Sequence, residues 1–162
     1  WLMIRNLLLA FIPILGLILG YLLRKIAQEE VEPGKNYLTS LRKMILFAMV
    51  IVLVYNAEIS ILNMVLFLIG VATARMIRIR YIYIGIATAA SLQFDMEMMI
   101  LLIALASIYG LPFGTQMIKK DAIKTIIKNA VLYGLPFLLL LTHLSNNNLI
   151  SIFAAGTLFL RE

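Results

Sequence analysis

The chain has 162 residues, is 63% hydrophobic with a mean hydropathy of +1.01, and carries a formal net charge of +6. A soluble domain is roughly 45 to 50% apolar, so water is excluded as the solvent for most of this surface. The basic balance does not point to nucleic acid, because no basic patch is interleaved with stacking aromatics. With no cysteine, disulfides, thiol catalysis and thiolate metal sites are excluded as well.

Apolar runs at 6–23, 38–55, 59–74, 81–92, 98–118, 125–142 and 149–160 predict seven helices. In hydrocarbon a helix is the one single segment that satisfies its own backbone hydrogen bonds. A crossing takes about 20 apolar residues, with about 17 as the lower end, so 81–92 and 149–160 are short. Seven crossings are expected, and six crossings plus one re-entrant segment is the rival arrangement.

The first run is longer than a signal-peptide core and lacks a small-residue cleavage site before its basic end, so it is expected to remain as an anchor. Within it Pro13 and Gly16 mark a kink, and Gly16 with Gly20 forms a small-xxx-small pair that lets a second helix approach. The junction that follows holds Glu29, Glu30, Glu32 and Lys35 around a Pro33-Gly34 turn. This loop is the candidate docking surface for a partner, and Arg24, Lys25, Arg42 and Lys43 are expected at headgroup level beside it.

The fourth run offers a face of small residues, Ala87, Thr88, Ala89, Ala90 and Ser91, suited to a short helix at the centre of a bundle or to a pore lining. The fifth and sixth runs share a five-residue echo: Tyr109, Gly110, Leu111, Pro112, Phe113 returns as Tyr133, Gly134, Leu135, Pro136, Phe137. A proline inside a helix removes a hydrogen bond and bends it. Gly110, Pro112, Gly134 and Pro136 are therefore candidate helix breaks, both expected in the cytoplasmic half of the bundle, and paired breaks of this kind point to transporter binding sites. Trp1, Tyr21, Tyr37, Tyr55, Tyr81 and Tyr83 fall where interfacial aromatic belts fall.

Charge alternates along the chain. Arg24, Lys25, Lys35, Arg42 and Lys43, then Arg75, Arg78 and Arg80, then Lys119, Lys120, Lys124 and Lys128 occupy every second junction, with Arg161 at the end. The intervening junctions hold Asn56 and Glu58, then Gln93, Asp95 and Glu97, then His143 with Asn146 to Asn148. Lysine and arginine resist translocation, so the basic junctions are cytoplasmic, the N-terminus is outside and the C-terminus inside. The expectation is an all-α, multi-pass protein of the plasma membrane, one transmembrane helical domain over 1–162 without a soluble domain. Lipid is its constant partner, with a homo-oligomer or another membrane protein as further candidates.

Glu58, Asp95, Glu97 and His143 are expected on the outer side, where they form a candidate vestibule attracting a small solute or cation. His143 is the single histidine, and the spacing of these residues carries no metal-ligand signature, so neither metal nor cofactor is expected. The motifs of serine hydrolases, phosphate loops, zinc proteases and dinucleotide folds are absent. Asp95 and Asp121 lie on opposite sides of the membrane in this threading and cannot form an aspartyl pair. A small transporter or channel is the leading reading; a non-catalytic membrane subunit or scaffold that binds partner proteins is the alternative.

Overall fold

A computed structural model describes residues 9, 11–31, 33–55, 60–76, 79–92, 96–117, 122–140 and 147–159. Among them the chain forms helices and no strand: α1 (Ile12–Ile26), α2 (Gln28–Val31), α3 (Lys35–Tyr55), α4 (Ile61–Met76), α5 (Arg80–Ser91), α6 (Met96–Thr115), α7 (Ala122–Leu140) and α8 (Asn147–Phe159). Each of the seven apolar runs holds a helix among its described residues, and α2 adds a single turn in the junction before Pro33. Pro33 and Gly34 form the turn that ends it, and the Gly34 N–H donates to Glu30 at 3.3 Å.

Two helices, Lys35–Tyr55 and Met96–Thr115, are long and apolar enough to cross a membrane. At about 1.5 Å per residue, the 21 residues of α3 reach about 31 Å. The 12 residues of α5 reach only about 18 Å by the same rise.

Pro13 stands in the first turn of α1, where its missing N–H would have had no intrahelical partner, and so opens that helix. Pro112 and Pro136 lie inside α6 and α7, and the helix continues through both. Tyr109 lies in the last third of α6 and Tyr133 just beyond the middle of α7.

Glycine sets the closest seams. A methyl group on Gly16 or Gly20 would overlap the Ser107 or Leu111 carbonyl of α6, and one on Gly110 or Gly114 would strike the backbone of α1 near Leu17. The contacts advance in step, Gly16 with Ser107 and then Gly20 with Leu111, so α1 and α6 run parallel. Gly70 of α4 and Gly156 of α8 repeat the same reciprocal offsets, and Gly85 of α5 lies on the Tyr133 backbone of α7. Dispersion between closely apposed backbones, not expulsion of water, holds such seams in lipid.

The short α5 is the centre. It touches α6, α7 and α8, and all of its residues except Arg80, Ile82 and Ile86 are buried. Its buried aliphatic hydroxyls bond back to their own helix: Thr88 donates to Ile84 at 2.9 Å and Ser91 to Thr88 at 2.7 Å. The Thr88 and Ser91 hydroxyls can therefore be buried among apolar neighbours with their donors met. Around this core the outer faces are apolar. On α3 the residues Leu41, Met44, Phe47, Ile51 and Val54 are exposed, on α1 Leu15, Leu19 and Leu22, and on α4 Leu62, Val65 and Leu68.

Candidate functional site

The polar interior gathers where the end of α6 meets the beginnings of α3 and α5. Arg42, about two turns into α3, is 7% exposed and is the one charged side chain among the buried residues described. It occupies the core stripe of its helix, continuing the series Ile45, Leu46, Met49, Val50 and Leu53 at helical spacing. Its guanidinium donates to the Gln116 side-chain oxygen at 2.7 Å and lies 5.9 Å from the Phe113 ring centre. The amide nitrogen of Gln116 in turn donates to the Thr39 hydroxyl at 3.3 Å. These bonds fix the fork of Arg42 in one plane.

Arg24 of α1 approaches the same helix end. Its Nη1 donates to the carbonyls of Thr115, at 3.1 Å, and of Met117. Cations at a helix C-terminus meet unpaired carbonyls and the negative end of the helix dipole, so α6 ends on an arginine cap.

Aromatic rings close the centre on its inner side. Tyr81 of α5 meets Phe113 edge-on at 5.1 Å and Tyr109 at 6.3 Å, while Tyr109 and Phe113 stack at 6.2 Å. Tyr81 is 2% exposed and its hydroxyl has no hydrogen-bond partner. Deeper in the bundle Tyr133 shares a hydrogen bond with Thr88 and packs on Phe137 at 5.5 Å. Both copies of the echoed motif thus face α5, the first through its rings and the second through its backbone at Gly85.

The residues singled out from sequence are distributed differently. Glu97 stands exposed in the first turn of α6, at the end remote from Gln116 by about 28 Å of helix rise. Glu58, Asp95 and His143, its companions in the expected vestibule, lie outside the described residues, as does Glu32. Glu29 and Glu30 are exposed on α2, and Lys35 opens α3, its carbonyl accepting from Thr39 at 3.0 Å. Gly110 and Pro112 are buried, Gly110 against α1; Pro136 is buried against Gly85, and a methyl group on Gly134 would meet the Phe11 ring at 3.9 Å, an ordinary van der Waals contact.

Arg42, grouped by charge with the residues expected at headgroup level, has its side chain buried in the bundle, because its position falls on the buried stripe of α3. Tyr81 and Tyr83 are core residues and not part of an interfacial belt, since α5 is enclosed by its neighbours, whereas Tyr37 and Tyr55 are exposed at the two ends of α3. Gln116 and Thr39 had no signal of their own in the sequence; they matter only through Arg42. Among the described residues, no cluster of histidine, aspartate and glutamate is arranged to hold a metal. No protein-family model, curated protein or solved structure matches the chain.

Proposed function

We propose that this chain is a multi-pass membrane protein of the plasma membrane, with seven crossings, an outer N-terminus and an inner C-terminus, and that it conducts or carries a small solute. The observation that carries the solute reading is the buried Arg42. A charged side chain inside an apolar bundle is costly and marks a functional site by default, especially where neighbouring helices hold it in a fixed geometry.

The membrane reading is supported by the apolar outer faces and by helix direction. Large exposed apolar patches mark surfaces that something other than water covers. The parallel course of α1 and α6, the first and fifth of the long apolar segments, fits a chain that reverses at every crossing. Arg24, Arg42 and Gln116 also converge from three segments whose adjoining junctions the charge pattern assigns to the cytoplasm.

Flux into proteoliposomes tests the proposal. A panel of small ions and neutral solutes should include at least one that enters with the wild type, and Arg42→Gln should slow it by roughly tenfold or more. That size follows from a charge-assisted hydrogen bond of about 1.5 to 3 kcal/mol. Asp95→Asn with Glu97→Gln should impair flux without impairing assembly. Absence of any flux above empty liposomes would remove the transport reading.

The exposed helical turn at Glu29 and Glu30 favours a second reading, a non-transporting subunit that docks a partner through the Glu29, Glu30, Glu32 and Lys35 loop. On that reading, substitutions in the loop release a co-purifying protein and Arg42→Gln leaves it bound.

A further inference from the structure

We infer that α4 is a detachable helix, hinged at its Thr73 end and able to open from α8 while the rest of the bundle stays packed. Detachment is a property of packing and stands whether or not a solute crosses.

The order of contacts carries it. Among the described residues no two of α1, α3, α4 and α5 pack extensively on one another, although these helices follow each other in the chain. They are gathered by what comes later: α6 packs on α1, α3 and α5, α7 on α5 and α1, and α8 on α3, α4 and α5. Every other long helix therefore has at least two packing partners, whereas α4 has one. Because α3 and α4 do not pack together but both pack on α8, the last helix stands between them.

The burial of α4 agrees. Of its 16 residues Asn63, Gly70 and Ala74 are buried, a single stripe at helical spacing. Gly70 lies against the backbone of Phe153, Gly156 and Thr157, and Phe67 packs on Phe159 at 5.5 Å. Away from that stripe Leu62, Met64, Val65, Leu68 and Ile69 are exposed. A segment with few buried contacts opens at lower cost than the body it rests on. Dispersion between apposed backbones holds such a seam and is forfeited over a small gap, so the seam opens as a unit.

One bond fixes the end about which α4 turns. Tyr83 of α5 donates to the Thr73 carbonyl at 3.2 Å, close to where residues 77–79 join the two helices. Opening is therefore smallest at Met76 and largest towards Ile61, and it uncovers the Gly156 and Thr157 backbone along α8.

Nitroxide pairs in the full chain, which has no native cysteine, test this by electron spin resonance in lipid nanodiscs. Phe47→Cys on α3 is paired with Leu62→Cys or Met76→Cys on α4 and, as the reference, with Leu19→Cys on α1; all four positions are exposed. Samples are equilibrated at rising temperature and frozen. The Leu62 pair should shift to longer distances while the Leu19 pair is unchanged, and the shift at Met76 should be smaller. Gly70→Val, which drives its side chain into the Phe153 carbonyl, should give the same shift without heating, whereas Ala72→Val on the exposed face of α4 should not. Should Gly70→Val fail to fold, the temperature series on the otherwise unchanged chain decides alone. A joint shift of the Leu62 and Leu19 pairs, an equal shift at Leu62 and Met76, or a folded Gly70→Val that behaves as Ala72→Val does, would overturn the inference.

Discussion

Alanine at Gly110 is expected to destabilise the protein by about 1 to 3 kcal/mol, while alanine at Gly134, the matching position of the echoed motif, should leave stability unchanged or raise it by about 0.5 to 1 kcal/mol. The opposite signs come from two environments. A methyl group on Gly110 would lie 2.7 Å from the Leu17 nitrogen and 2.9 Å from the Gly16 carbonyl carbon, both backbone atoms that cannot rotate away. The α1 and α6 helices would have to separate, and the apposition of Gly16, Gly20 and Gly114 would loosen with them. At Gly134 the nearest atom is on the Phe11 ring, 3.9 Å away, so the methyl fits and the helix gains by losing a glycine. Thermal or denaturant unfolding in a fixed detergent, comparing the two variants with wild type, checks the pair. Equal losses at both positions would mean that the motif acts through helix bending and not through packing.

The second large effect concerns the outer surface. Phe47, near the middle of α3, is exposed on a stripe with Met44 and Ile51. Phe47→Lys should cost about 2.5 to 3.5 kcal/mol in membrane insertion, the penalty for a cation at the centre of a spanning helix. On a surface facing water the same change would fall within about 0.5 kcal/mol of neutral and would improve solubility. Insertion of α3 into microsomal membranes, scored for Phe47→Lys against Phe47→Ile, separates the two cases. A neutral result for lysine would mean that lipid does not cover this face.

Helix positions were legible because apolar runs separated by polar junctions leave little else for the backbone to do in hydrocarbon. The short fourth run illustrates how far that reaches. Its small residues Ala87, Thr88, Ala89, Ala90 and Ser91 announced close packing, and all five are buried in α5 at the centre of the bundle. The Gly16 and Gly20 pair likewise announced a seam, though its partner, Gly110 with Gly114, became apparent only once α6 was seen beside α1.

The centre itself was less legible. The basic junction groups Arg42 with Lys43, yet neighbours on a helix point about 100° apart: Arg42 is in register with Ile45, Met49 and Leu53, while Lys43 is exposed. Helical periodicity carried that distinction, and the charge pattern concealed it. Tyr81 was read as interfacial from its place at the end of a run. Its burial depends on α6 and α7 enclosing the short helix, a tertiary fact that no local pattern contains. The acidic residues attracted notice because charge is rare in this chain, and of these Glu97 stands in the open at the far end of α6.

Lipid threaded alternately by one polypeptide is the central claim, and the absence of native cysteine makes it directly measurable. Asn36 and Ser60 are both exposed and flank α3 at its two ends. Single cysteines at these positions, probed with a membrane-impermeant maleimide on intact cells and then on inside-out vesicles, report the two sides of the membrane. The account predicts that Ser60→Cys reacts on intact cells and Asn36→Cys only on inverted vesicles. Reaction of both from the same side would contradict it.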